Sequence, residues 1–80
     1  MRKTEMQKQK QPITIKNPAC YDLDPYIGAY VEYTSPDEPG RVYSGHIERS
    51  GECGEAMVHD DAEPWVYVFT GTIDTITIFA

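Results

Sequence analysis

Ala29-Tyr30-Val31-Glu32-Tyr33-Thr34, followed after a turn by Arg41-Val42-Tyr43-Ser44-Gly45-His46-Ile47-Glu48-Arg49, is the stretch whose reading decides the fold. In the first segment Ala29, Val31 and Tyr33 share one face, and Tyr30, Glu32 and Thr34 the other. That is the period of a half-buried strand. The connection Ser35-Pro36-Asp37-Glu38-Pro39-Gly40 is turn chemistry throughout. The second segment is a longer strand with Gly45 at its middle. A glycine there marks a bend or bulge, and small barrels need such bends to close.

Toward the C-terminus the strand pattern continues. Ser50 to Gly54 is a loop, Ala56 to His59 a short third strand, and Asp60 to Pro64 an acidic turn. Trp65 to Thr70 is a continuous apolar strand, Gly71-Thr72 a tight connection, and Ile73 to Phe79 the last strand. Toward the N-terminus, Asn17-Pro18 marks a turn. Ala19 to Ile27 holds one short helical turn, with Asp22 as N-cap, Pro25 in a first turn and Gly28 at the end. Pro12 to Lys16 alternates like a short strand or an extended arm. Residues 1–11 are polar and Lys/Gln-rich without a period, which reads as a disordered basic arm. The division expected is therefore an arm, 1–11, and one domain, 12–80.

Eighty residues make one domain with a limited core, whose stability is marginal unless the chain is stapled or oligomeric. No apolar run approaches a membrane span. The basic N-terminus has no apolar run behind it, so it is no secretory signal, and a cytoplasmic location is expected. Cys20 and Cys53 do not make a disulfide framework, and their spacing leaves open whether they pair.

Charge is divided unevenly. Residues 1–16 carry five basic side chains against Glu5, a net of +4; residues 17–80 carry Arg41 and Arg49 against twelve acids, a net of −10. An acidic body repels a phosphate backbone and attracts a basic protein surface. No pair among His46, His59, Cys20 and Cys53 has metal-ligand spacing, and the acids of the 60–63 turn lack a calcium-loop pattern. No nucleophile sits at a spacing that requires a base beside it, and no glycine loop cradles phosphate. Catalytic, cofactor and metal residues are therefore expected to be absent. The aromatic residues Tyr26, Tyr30, Tyr33, Tyr43, Trp65, Tyr67 and Phe69 read as core and subunit contact, with base stacking as the alternative.

The order of elements resembles the Sm/LSm superfamily of small barrels, which includes bacterial Hfq. The matching positions are Gly28 before the first strand, Val31 within it, Gly45 in the bent second strand, and Thr70-Gly71 followed by Ile73 and Ile76. The resemblance covers about two-thirds of the chain. It implies an all-β, five-stranded Sm-like (SH3-like) barrel with a short N-terminal helix. It also implies that the fourth strand of one subunit pairs with the fifth of the next, closing a ring. Trp65, Val66, Val68, Phe69, Ile76 and Ile78 would then form the oligomer edge; the alternative is that the two segments are buried core strands. At the positions where the family grips RNA, this chain has Ala56 and Thr70, and Glu52 and Glu55 stand in the preceding loop, so the usual oligonucleotide pocket is not expected. A looser similarity, in size, order and acidity, is to Rof-type inhibitors of Rho, which bind a protein.

The expectation is a non-enzymatic regulatory or accessory protein that binds a basic protein partner through an acidic surface. The acids expected on that surface are Asp60, Asp61 and Glu63 in one turn, Asp37 and Glu38 in a second, and Glu52 and Glu55 in a third. The first alternative is an RNA-binding Sm-like ring using a nonstandard face, with weak contacts from Arg2, Lys3, Lys8 and Lys10 of the arm. The second is a small acidic inhibitor, mimicking nucleic-acid charge, from a phage or mobile element.

Overall fold

A computed structural model describes residues 11–51, 54–63 and 65–79. The arm residues Arg2, Lys3, Lys8 and Lys10, together with Glu52 and Cys53, lie outside the described residues. The chain forms β1 (Ile13–Lys16), α1 (Cys20–Leu23), β2 (Tyr30–Thr34), β3 (Val42–Arg49), β4 (Ala56–Asp60), β5 (Tyr67–Phe69) and β6 (Thr75–Phe79). Short 3-10 turns occupy Asp24–Tyr26 and Thr70–Thr72.

The strands make one antiparallel sheet in the order β1-β6-β2-β3-β4-β5. The all-β expectation holds. The sheet has six described strands rather than the five expected, and it is not closed, since the end strands β1 and β5 do not pair with each other. The extra strand is Ile13–Lys16. Its register places Ile13 opposite Ile78 and Ile15 opposite Ile76.

Alternation sorts the side chains. Val31, Tyr33, Ile47, Val58, Ile76 and Ile78 point to one face and are buried, with Leu23 of α1 and Ile73 completing the core. Tyr30, Glu32, His46 and Phe79 fall on the opposite, exposed face. The helix carries one core anchor, Leu23. Asp22 was expected as its N-cap but is its third residue; its carboxylate accepts the Ala19 N–H at 2.9 Å, closing the turn from inside. Pro25 sits in the first turn of the 3-10 segment, and Gly28 follows with φ of +94°, a conformation glycine adopts without strain.

Gly45 marks a close approach between strands. A Cβ there would lie 2.4 Å from the His59 carbonyl oxygen and 2.8 Å from Val58 Cγ1. β3 and β4 come together at this point because no side chain separates them.

The apolar segments expected at a subunit edge diverge. β5 is indeed an edge, but it is only three residues long, and Val68 packs against the core while Trp65, Tyr67 and Phe69 are exposed. β6 lies between β1 and β2, and Ile76 and Ile78 are fully buried. They are core residues of a strand whose two edges are used within the chain, so the expected edge role for Ile76 and Ile78 is corrected.

Candidate functional site: an acidic and aromatic mouth

The antiparallel topology puts the 35–41 loop, between β2 and β3, at the same end of the sheet as the 61–66 loop, between β4 and β5. Ser50, Gly51, Gly54 and Glu55, between β3 and β4, lie at the opposite end. Two of the three acidic loops are therefore neighbours and the third is not. Glu55 sits near Cys20 at the start of α1. Burial first, then Glu55 and the charge of Asp24, push the free Cys20 thiol above its ordinary value, which makes it a weak nucleophile.

The neighbouring loops are tied together by Asp60. It was expected among the displayed acids, but it is buried at 6% exposure at the end of β4. One carboxylate oxygen accepts the Tyr33 hydroxyl. The other accepts the backbone N–H of Ala62 at 2.9 Å and of Glu63 at 3.0 Å. The side chain thus organises the turn that carries Asp61 and Glu63 and anchors it to β2. The Tyr33 phenol is pushed well above its ordinary range, chiefly by burial, then by the bond to Asp60 and the negative charges of Asp60, Asp61 and Glu63.

Tyr33 stacks on Tyr43, ring centroids 5.5 Å apart and planes 24° from parallel. The Tyr43 hydroxyl donates to Glu38, and the Arg41 guanidinium stands 5.0 Å above the Tyr43 ring. Ser35 fixes the loop by accepting the Asp37 N–H at 3.2 Å. Together Tyr33, Tyr43, Glu38, Asp60 and Glu63, with Val66, Val68 and Thr72 behind them, line an open cavity of about 210 Å³. Asp37 and Asp61 are exposed and are not among the residues that line it; Asp61 pairs with His46 at 3.0 Å.

Ala56 is fully buried and Thr70 nearly so. Among the described residues no group of three or more His, Cys, Asp or Glu is arranged to hold a metal ion. No described helix is long and apolar enough to cross a membrane.

The pairing of Tyr33 with Asp60, 27 residues apart, was not foreseen. Alternation put Tyr33 on the core face, and a phenol there requires a partner for its hydroxyl. The signal was present, but the partner depends on the β2–β3–β4 register. Comparison with protein-family models, with curated proteins and with solved structures finds no match.

Proposed function

We propose that this protein is a non-enzymatic regulatory or accessory protein that binds a partner protein with a basic surface, using the mouth formed by the 35–41 and 61–66 loops. The observation that carries the reading is the convergence of Glu38 and Glu63 with Tyr33 and Tyr43 on one cavity. A carboxylate beside an aromatic face suits a lysine or arginine side chain, which gains both charge pairing and a cation–π contact. Arg41 over Tyr43 is an in-chain instance of that contact. The net charge of −10 over residues 17–80 steers cationic partners toward the body.

An Sm-like fold is part of the proposal. The short helix before the first long strand, the crowded glycine of β3 and the consecutive antiparallel strands β2 to β6 support it. An RNA-binding ring has less support, because Ala56 and Thr70 are buried where the family grips RNA. A charge-mimicking inhibitor would use the same acidic end and answer to the same test.

The test is capture of partners on immobilised protein after nuclease treatment, with a variant carrying Glu38→Gln and Glu63→Gln, which leaves Asp61 and its contact with His46 intact. Asp60 is kept, because it supports the turn. The wild type should retain a basic protein, and the variant should lose it while its circular dichroism is unchanged. Capture that disappears with nuclease, or survives in the variant, sinks the reading.

A further inference from the structure

The exposed face of the sheet carries a second feature, opposite the core and separate from the mouth. The register aligns Phe79 with Tyr30, Tyr30 with His46, His46 with His59, and His59 with Tyr67. Five consecutive strands, β6-β2-β3-β4-β5, each contribute one ring to a single row. Ring centroids lie 5.7 Å apart for Phe79 and Tyr30, 5.7 Å for Tyr30 and His46, and 4.6 Å for His59 and Tyr67. Tyr30 is 38% exposed, Phe79 40% and Tyr67 47%. At strand spacing the row is about 19 Å long, the reach of roughly six extended residues. At its β5 end it continues into a groove of about 400 Å³ whose lining includes Glu48, Arg49, Ser50, Met57, Tyr67 and Phe69.

Solvent-facing sheet positions are ordinarily polar, and a row of rings aligned across five strands there marks an interaction surface. Its chemistry points to one kind of occupant. Among the described residues, the charged side chains bordering the row are Glu32, Glu48 and Asp61, all carboxylates. Asp61 and Glu48 hold the two imidazoles, His46 Nδ1 to Asp61 Oδ1 at 3.0 Å and His59 Nδ1 to Glu48 Oε2 at 2.8 Å. Arg49, the one cation in the groove lining among the described residues, is already held by Asp24 at 3.4 Å and by the Gly54 carbonyl at 2.8 Å. A nucleic-acid strand would gain stacking but bring its phosphates against these carboxylates. A cationic peptide gains on both counts: its side chains meet ring faces and an anionic border.

We infer that this face is a second docking surface, for an extended arginine- or lysine-bearing protein segment lying across the strands along the row. It is independent of the mouth, and either surface can fail without the other.

The experiment is titration of the full chain with a decapeptide of alternating arginine and glycine, near neutral pH and low salt, followed by two-dimensional amide NMR. An oligo(U) strand serves as the parallel probe. The peptide should shift the amides of Tyr30, His46, His59 and Tyr67. Tyr30→Leu with Tyr67→Leu keeps apolar bulk but removes two ring faces, and should weaken binding about fivefold. Glu32→Gln with Glu48→Gln should weaken it by a similar factor, about fivefold. Glu38→Gln with Glu63→Gln, at the mouth, should leave these shifts unchanged. The inference is overturned if the peptide shifts only the mouth residues, if neither probe moves the row, or if oligo(U) moves it and the peptide does not. Retention of full affinity in a folded Tyr30→Leu, Tyr67→Leu variant overturns it as well.

Discussion

Asp60 shows how one side chain can hold both a core and a surface. Its oxygens are divided between the Tyr33 hydroxyl and two turn N–H groups, so Asp60→Asn replaces an acceptor with a donor in a buried place. The expected cost is about 1–3 kcal/mol, measured by urea denaturation followed by circular dichroism, with the 61–63 turn losing order at the same time. Tyr33 gives the corresponding pH dependence. The folded state keeps the phenol protonated beyond its ordinary value of 10.0, whereas the unfolded chain releases the proton there. The contribution is therefore complete below pH 10 and declines as pH rises toward the raised folded value, by up to about 1.4 kcal/mol per pH unit. Tyr33→Phe should remove that part of the alkaline loss, and an unchanged alkaline profile would contradict the assignment. At Gly45 the expectation is steric. With a Cβ 2.4 Å from the His59 carbonyl, Gly45→Ala must push β4 aside, at a cost of about 1–3 kcal/mol in the same denaturation experiment.

Among the elements, β1 decides which strand edges of the sheet are left open. It lies along β6, the edge on which a neighbouring subunit would add if copies closed a ring through their last strands. Deleting residues 1–16 bares the β6 edge and removes Ile13 and Ile15 from the side of the core. The deletion variant should self-associate more than the full chain by light scattering; equal masses would show that β1 does not guard the edge. The sequence showed β1 only as a choice between strand and arm, because four alternating residues do not reveal a partner. It showed β2 and β3 clearly, since their apolar periods and the Pro/Gly-rich turn between them are local. It misjudged Asp60 and the edge role of Ile76 and Ile78 for one reason. Whether an acid faces water or a phenol, and whether an apolar run is core or surface, depends on which strand lies alongside. Tyr30 and His46, sixteen residues apart, meet only because of the β2–β3 register, so the aromatic row could not be read from either strand alone.

At the scale of the whole molecule, the mouth and the aromatic row lie on different surfaces of one acidic body, and both suit positive charge. Association with a basic partner should slow steeply as salt is added, since long-range attraction between exposed charges is screened within about 10 Å at moderate ionic strength. A rate of association that does not change with salt, measured by surface plasmon resonance, would leave the acids as solubilising groups only. The placement of Trp65 adds an optical consequence. It is the one tryptophan of the chain, and it is 76% exposed just ahead of β5, the edge strand that carries Tyr67. Its indole is already hydrated in the native state, so unfolding should barely alter the colour of its emission. A partner that covers this side of the sheet should shift that emission to the blue. The protein thus carries an intrinsic fluorophore that is insensitive to its own melting and responsive to what settles on its surface.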